Sequence, residues 1–119
     1  MNKVIGPAIY SKGWGHEKWI ANGELYCGKL LFFEKGKRCS FHYHKLKTET
    51  FYLQSGLLKV FHSLEDEIGQ AQEVILQPGD SFHVPVGLRH QMLALQNSEL
   101  FEFSTQHFED DSYRLARGD

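Results

Sequence analysis

The chain has 119 residues, 41% of them hydrophobic and 13% aromatic, with a formal net charge of -2. That length fits one domain with an apolar core and leaves no room for a second. The charge offers no basic surplus to neutralise phosphates, so no nucleic-acid partner is expected, and no stretch approaches the ~20 apolar residues of a membrane-spanning helix.

The opening MNKVIGPAIYSKGWG lacks the apolar run of a signal peptide, so a cytoplasmic protein is expected. Residues 4–10 are apolar without an obvious place in a small barrel, and are expected to add a strand to a partner's sheet edge. Residues 17–21 and 24–34 read as strands joined by a hairpin turn at Asn22-Gly23. Leu30 to Phe33 are continuously apolar, as in a strand covered on both faces. Strand-like runs follow at 37–44, 48–55 and 57–63; in the last, Leu58, Val60 and His62 share one face. Residues 65–72 are polar and read as a loop or one helical turn. Runs at 73–77, 81–84, 89–95 and 98–105 complete nine, punctuated by Pro78-Gly79-Asp80 and Pro85-Val86-Gly87. Nine short runs broken by turns predict an all-β sandwich or barrel. The tail from Phe108 is mixed and acidic, a short helix or an extended arm. Cys27 and Cys39 match neither a zinc ribbon nor a C-x-x-C pair and read as buried, inert thiols.

The chemistry concentrates in two segments. His42 and His44 are two apart, so on a strand both rings leave the same face, and Glu49 is close enough to return on the next strand. His90 opens a further strand just after the Pro85-Val86-Gly87 reversal. Three imidazoles and a carboxylate can converge on one cation, and the mixed nitrogen and oxygen set suits Mn, Fe, Co, Ni or Zn over Ca or Mg.

These segments resemble both motifs of the cupin superfamily gap for gap. Gly36, His42, His44, Glu49 and Gly56 meet G-x5-H-x-H-x4-E-x6-G; Gly79, Pro85, Gly87 and His90 meet G-x5-P-x-G-x2-H-x3-N, with Ala94 replacing the last Asn. The resemblance implies the cupin double-stranded β-helix, a jelly-roll β-barrel that fills residues 1–119 as a single domain. Its metal-binding core would span about 24–106, with an N-terminal arm over 1–16 and a tail over 107–119. It also implies one divalent transition-metal ion on His42, His44, Glu49 and His90, a small-molecule substrate, and a homodimer.

Trp14-Gly15, the 101–106 strand and Glu109-Asp110-Asp111 with Arg114 look like the flanks of the cupin domain in mannose-6-phosphate isomerases. That likeness implies a metal-dependent isomerase or epimerase of a sugar or sugar phosphate, needing a base within reach of a carbon-bound proton. His83, Glu102 and His107 are the candidate bases, with Tyr43 and Tyr52 weaker because alternation turns them from the ligand face. Trp14 also reads as an aromatic plug, and Arg38 and Lys45 as residues that could meet a phosphate. The alternatives are an iron-dependent dioxygenase, since the resemblance extends to cupin oxygenases with the same ligand set, and a non-catalytic sugar-binding or small-molecule-binding module that uses the barrel as a receptor. Phe32, Phe41, Phe51, Phe82, Met92, Phe101 and Phe103 are read as barrel interior.

Overall fold

The structure, a computed structural model, describes residues 4–119, so the first three residues of the expected N-terminal arm lie outside the described residues. Nine strands form: β1 (Ala8–Lys12), β2 (Gly15–Asn22), β3 (Cys27–Phe33), β4 (Phe41–Tyr43), β5 (Glu49–Ser63), β6 (Gln72–Leu76), β7 (Ser81–Val84), β8 (Arg89–Ser104) and β9 (Tyr113–Ala116). Among the described residues the only helical element is a 3-10 turn at Ile68–Gln70, inside the predicted polar loop.

The nine strands are not the nine runs read from the sequence. Runs 48–55 and 57–63 are one strand, β5, and runs 89–95 and 98–105 are one strand, β8. These two long strands pair along most of their length, from Glu49 opposite Ser104 to Ser63 opposite Arg89, with register shifts between Leu53 and Leu58. There β5 turns at Gly56, whose φ of 96° suits glycine and whose missing Cβ leaves room for Ser98 and the Asn97 carbonyl. The bend carries both strands from one half of the sheet to the other. One half continues through β3, β2 and β1 and carries β7; the other carries β4, β9 and β6. This is the expected jelly roll, curled around one buried cluster that takes Leu31, Phe33 and Phe51 from the first half and Leu58, Val60 and Met92 from the second.

Several expectations are corrected. β1 pairs with β2 of its own chain, from Ala8 opposite Trp19 to Lys12 opposite Gly15, so Ala8, Ile9 and Tyr10, the end of the apolar N-terminal run, have a place at this sheet's edge. The turn of that hairpin explains Trp14-Gly15. Trp14 is buried and stacks on Phe33 with centroids 4.2 Å apart, the expected plug, and a Cβ on Gly15 would strike the Phe32 carbonyl. Asn22-Gly23 is not a two-residue turn: β3 begins only at Cys27, the Gly23 amide donates to the Tyr26 carbonyl at 3.0 Å, and Gly23 does not adopt positive φ. β3 is covered on one face only, with Cys27, Lys29, Leu31 and Phe33 buried and Leu30 and Phe32 partly exposed between them. Phe103 is exposed at 56%, and Phe101 shares its outer face, so neither lines the interior. Of the two readings of the tail the extended one holds, since it forms β9 and pairs with β4.

Candidate metal centre

β4 and β8 set the first two rings side by side, because His42 and His90 are direct cross-strand partners. His44 follows the end of β4, and the Gly87 amide donates to its carbonyl at 2.9 Å, tying the two motifs together. One ring nitrogen of each of His42, His44 and His90 lies within 4.8 Å of those of the other two. Each Nδ1 faces a main-chain carbonyl: Ser40 at 2.9 Å from His42, Asp111 at 2.8 Å from His44, and Leu88 at 3.0 Å from His90. A carbonyl only accepts, so each neutral ring keeps its hydrogen on Nδ1 and turns the Nε2 lone pair to its neighbours.

Glu49, the first residue of β5, brings its Oε2 to 3.2 Å from His44 Nε2 and 3.3 Å from His90 Nε2. Glu49 Oε2 and His90 Nε2 are both buried without a hydrogen-bond partner. In that tautomer lone pairs converge with no donor between them, an arrangement that costs free energy unless a cation or a shared proton fills it. The spacing suits a cation: two ligand atoms about 2.1 Å from an ion, at right angles, stand about 3 Å apart. The residues fit a divalent transition metal, with His42, His44, His90 and Glu49 as the donors that could hold it.

Burial alone would raise the Glu49 carboxyl, but hydrogen bonds donated by His44 and His90 when a proton stands in the cation's place, together with the Lys47 charge, outweigh it and hold the carboxylate well below its ordinary range. Burial, then the neighbouring His90 and His44, hold His42 well below the ordinary imidazole range, so its ring stays neutral.

Beside the cluster lies a second polar group that the motifs do not announce. Lys47, only 3% exposed, places Nζ 3.4 Å from Glu49 Oε1, 3.1 Å from Glu102 Oε2 and 3.0 Å from His107 Nδ1. Burial opposes its charge, but Glu102 and Glu49 outweigh that and raise its pKa. Burial first, then the charge of Glu49, pushes Glu102 up. Burial, Lys47 and Lys29 hold His107 down to about 3. Both groups line one cavity of about 650 Å³, which extends past them to Glu17, Trp19 and Lys29.

The candidate bases thus separate. Glu102 and His107 face the cavity, whereas His83 stands exposed on the outer face, its Nδ1 3.2 Å from Thr50 Oγ1. Alternation explains this, since the partly buried Phe82 and the buried Val84 occupy the inner face of β7. Tyr43 also points away, stacked on Tyr113 at 5.2 Å. Lys45 is exposed over the Tyr113 ring, and Arg38 does not line the cavity. The motifs single out neither Lys47 nor Lys29, and they mark Asp111 only as part of an acidic flank. Lys29 was legible, a lone cation sharing parity with Cys27, Leu31 and Phe33.

Residues 29–101 match the family described as the cupin domain. The chain is a cupin. The Asn-to-Ala departure is structural: Ala94 is buried in the core and its main chain bonds Gly36 and Lys37. This cupin is 39% identical over 56 residues to quercetin 2,3-dioxygenase of Bacillus subtilis, a match covering 47% of this chain and 14% of that protein. Its fold superposes on the capsular polysaccharide assembling protein CapF from Staphylococcus aureus with a TM-score of 0.81 at 16% identity, covering 95% of this chain and 35% of CapF. On KdgF from Halomonas sp. the TM-score is 0.73 at 19% identity, covering 87% of this chain and 91% of KdgF. The cupin therefore spans a small part of the dioxygenase and about a third of CapF, and most of KdgF. Among the described residues no helix is long and apolar enough to cross a membrane.

Proposed function

We propose that this cupin is a metal-dependent isomerase or epimerase of a sugar or sugar phosphate, with one divalent transition-metal ion held by His42, His44, Glu49 and His90. The observation that carries this reading is the buried Glu102–Lys47–His107 group beside the ligand cluster, in the same cavity. An ion bound there supplies Lewis-acid polarisation of a carbonyl and its neighbouring hydroxyl. Glu102 is the proton carrier: its raised pKa brings it towards the working range of a general acid or base. Lys47 positions Glu102 and stabilises negative charge developing on a substrate oxygen. His107, kept neutral, accepts from Lys47 and so holds the ammonium towards Glu102. The flanks also support a sugar substrate, since Trp14-Gly15 and Asp111 resemble the mannose-6-phosphate isomerase pattern, and CapF is itself a capsular polysaccharide assembling protein.

The test follows carbon-bound hydrogen. With protein loaded with Mn, Fe, Co, Ni or Zn, aldoses, ketoses and their phosphates should take up deuterium from deuterated water or yield an isomeric product. Removing oxygen should change neither signal. His90→Ala should lose metal and both signals. Glu102→Gln should keep the metal and lose about 10²–10⁴ in rate. Neither exchange nor product over the whole panel would reject the isomerase. A second reading, an iron-dependent dioxygenase, draws on the 56-residue match. Oxygen uptake with ferrous iron would favour it. Affinity without turnover would leave a binding module.

A further inference from the structure

Beside the Glu102–Lys47–His107 group, where the Trp19 and His107 rings meet, the cavity holds an ion pair that is kept open. Lys29 on β3 is 2% exposed, yet its Nζ stands 3.5 Å from Glu17 Oε1, beyond ordinary charge-assisted hydrogen-bond length. Trp19 holds the two apart: its indole N–H donates to Glu17 Oε1 at 2.8 Å, and its ring lies 4.2 Å under the Lys29 ammonium. The other flank of Trp19 is fixed by Tyr10 at 4.7 Å, and the His107 ring meets it edge-on at 5.2 Å. An ammonium has three donors and a carboxylate about four acceptor sites, so the pair retains unused capacity of both kinds where it lines the cavity.

A group that donates and accepts at once fits between them. A hydroxyl can give its hydrogen to Glu17 and take one from Lys29. A phosphate dianion or a carboxylate has only acceptors and would meet the Glu17 charge. The cavity walls as a whole hold no cationic surplus: five Lys and Arg side chains, Lys29 among them, are matched by five Glu and Asp, Glu17 among them.

Resting on the sugar reading above, we propose that Glu17 and Lys29, held open by Trp19, form a subsite for a neutral sugar hydroxyl, so that the substrate is unphosphorylated at the end remote from the metal centre. Trp19 is a positioning residue for this subsite.

Binding tests it without turnover. Mn-loaded protein is titrated with D-glucose, D-mannose, D-fructose and their 6-phosphates, followed by calorimetry and tryptophan fluorescence. Neutral sugars should bind about tenfold or more tightly than their 6-phosphates, the loss expected from a buried charged partner left unmatched. Glu17→Gln, which keeps the shape, and Lys29→Met should each weaken neutral-sugar binding about tenfold while metal content stays constant. Trp19→Phe should weaken it too. Tighter 6-phosphates, no binding by any of the sugars, or unchanged affinity in both Glu17→Gln and Lys29→Met would overturn the subsite. Isomerisation of neutral sugars with an unchanged KM in both variants would overturn the subsite and keep the isomerase. Binding that responds to Glu17→Gln without deuterium exchange would support the subsite and reject the isomerase.

Discussion

Neutral imidazoles near a buried lysine make His107 a reporter of acidity. Its pKa is held down to about 3 by burial, Lys47 and Lys29, while an unfolded imidazole titrates near 6.5. As pH falls below that value, the unfolded chain binds a proton that the folded one refuses. Its contribution is therefore fully present above about 6.5 and is lost progressively down to about 3. His107→Gln keeps an acceptor for Lys47 and removes that part of the slope. Urea unfolding between about pH 7 and about pH 4 should show the variant losing less stability than the parent; parallel curves would mean that His107 titrates freely. His42 shifts in the same direction and accounts for part of the remaining slope. His83 provides a contrast, being exposed on the outer face. His83→Ala should leave metal content and any turnover unchanged, measured beside His44→Ala, which should lose the metal. Residues like these were unevenly legible. His42 and His44 follow from period-two alternation, and Glu49 and His90 from motif spacing. His83 stands out by its polarity, but the same alternation sends it opposite Phe82 and Val84. Lys47 was not legible at all, because it lies in a loop, where periodicity assigns no face.

At the scale of elements, the 44–48 loop is shaped from a distance by Asp111. Its Oδ1 accepts the Lys45 and Leu46 amides at 2.9 and 3.1 Å, its Oδ2 accepts the Lys47 amide at 3.0 Å, and its carbonyl orients His44. Asp111→Ala would strand these amides and should cost on the order of 3 kcal/mol. Loosening the carbonyl that holds His44 should also cut metal affinity about 10–100-fold. Denaturant unfolding and a metal titration measure the two; a stability loss with unchanged affinity would make Asp111 merely structural. The acidic segment was visible in the sequence, but its use was not. Nothing local says that a carboxylate near the end of the chain will cap a loop 64 to 66 residues earlier. The same limit hid β9, whose four residues become a strand only by pairing with β4. It also made two runs of each long strand, since the bend at Gly56 reads locally as a turn.

For the whole molecule, the outer face of β3, β8 and β5 is the feature that one chain leaves unexplained. Leu30, Phe101 and Tyr52 form a cross-strand row on it, and the exposed Phe103 stacks on Phe101 at 6.1 Å. A row of large apolar side chains on a sheet face is the usual mark of an interface. A homodimer is the expected assembly, and we propose this face as its interface. Light scattering should give twice the 13.8 kDa chain mass at micromolar concentration, and Phe101→Glu should return it to the monomer. A monomeric parent would reject it. The all-β architecture was legible because turn residues and alternation repeat along the chain. Which sheet face is wet and which is covered was not, because an apolar run such as Leu30 to Phe33 looks alike either way.

The stitch between Asp111 and the 44–48 loop also dictates timing. The loop cannot acquire its final shape until the segment before β9 has docked, so the ligand geometry depends on closing a contour of more than sixty residues. Contacts so distant in sequence are among the last to form, after the β5–β8 ribbon is in place. An ion that needs the completed geometry then binds after the rate-limiting barrier. Adding metal should slow unfolding while leaving the refolding rate nearly unchanged, which stopped-flow kinetics with and without a chelator would reveal. Metal that speeded refolding would instead place His42, His44 and His90 together in the nucleus. In the expected case the cation acts as a lock on a finished barrel, lengthening the lifetime of the folded state and not its speed of arrival.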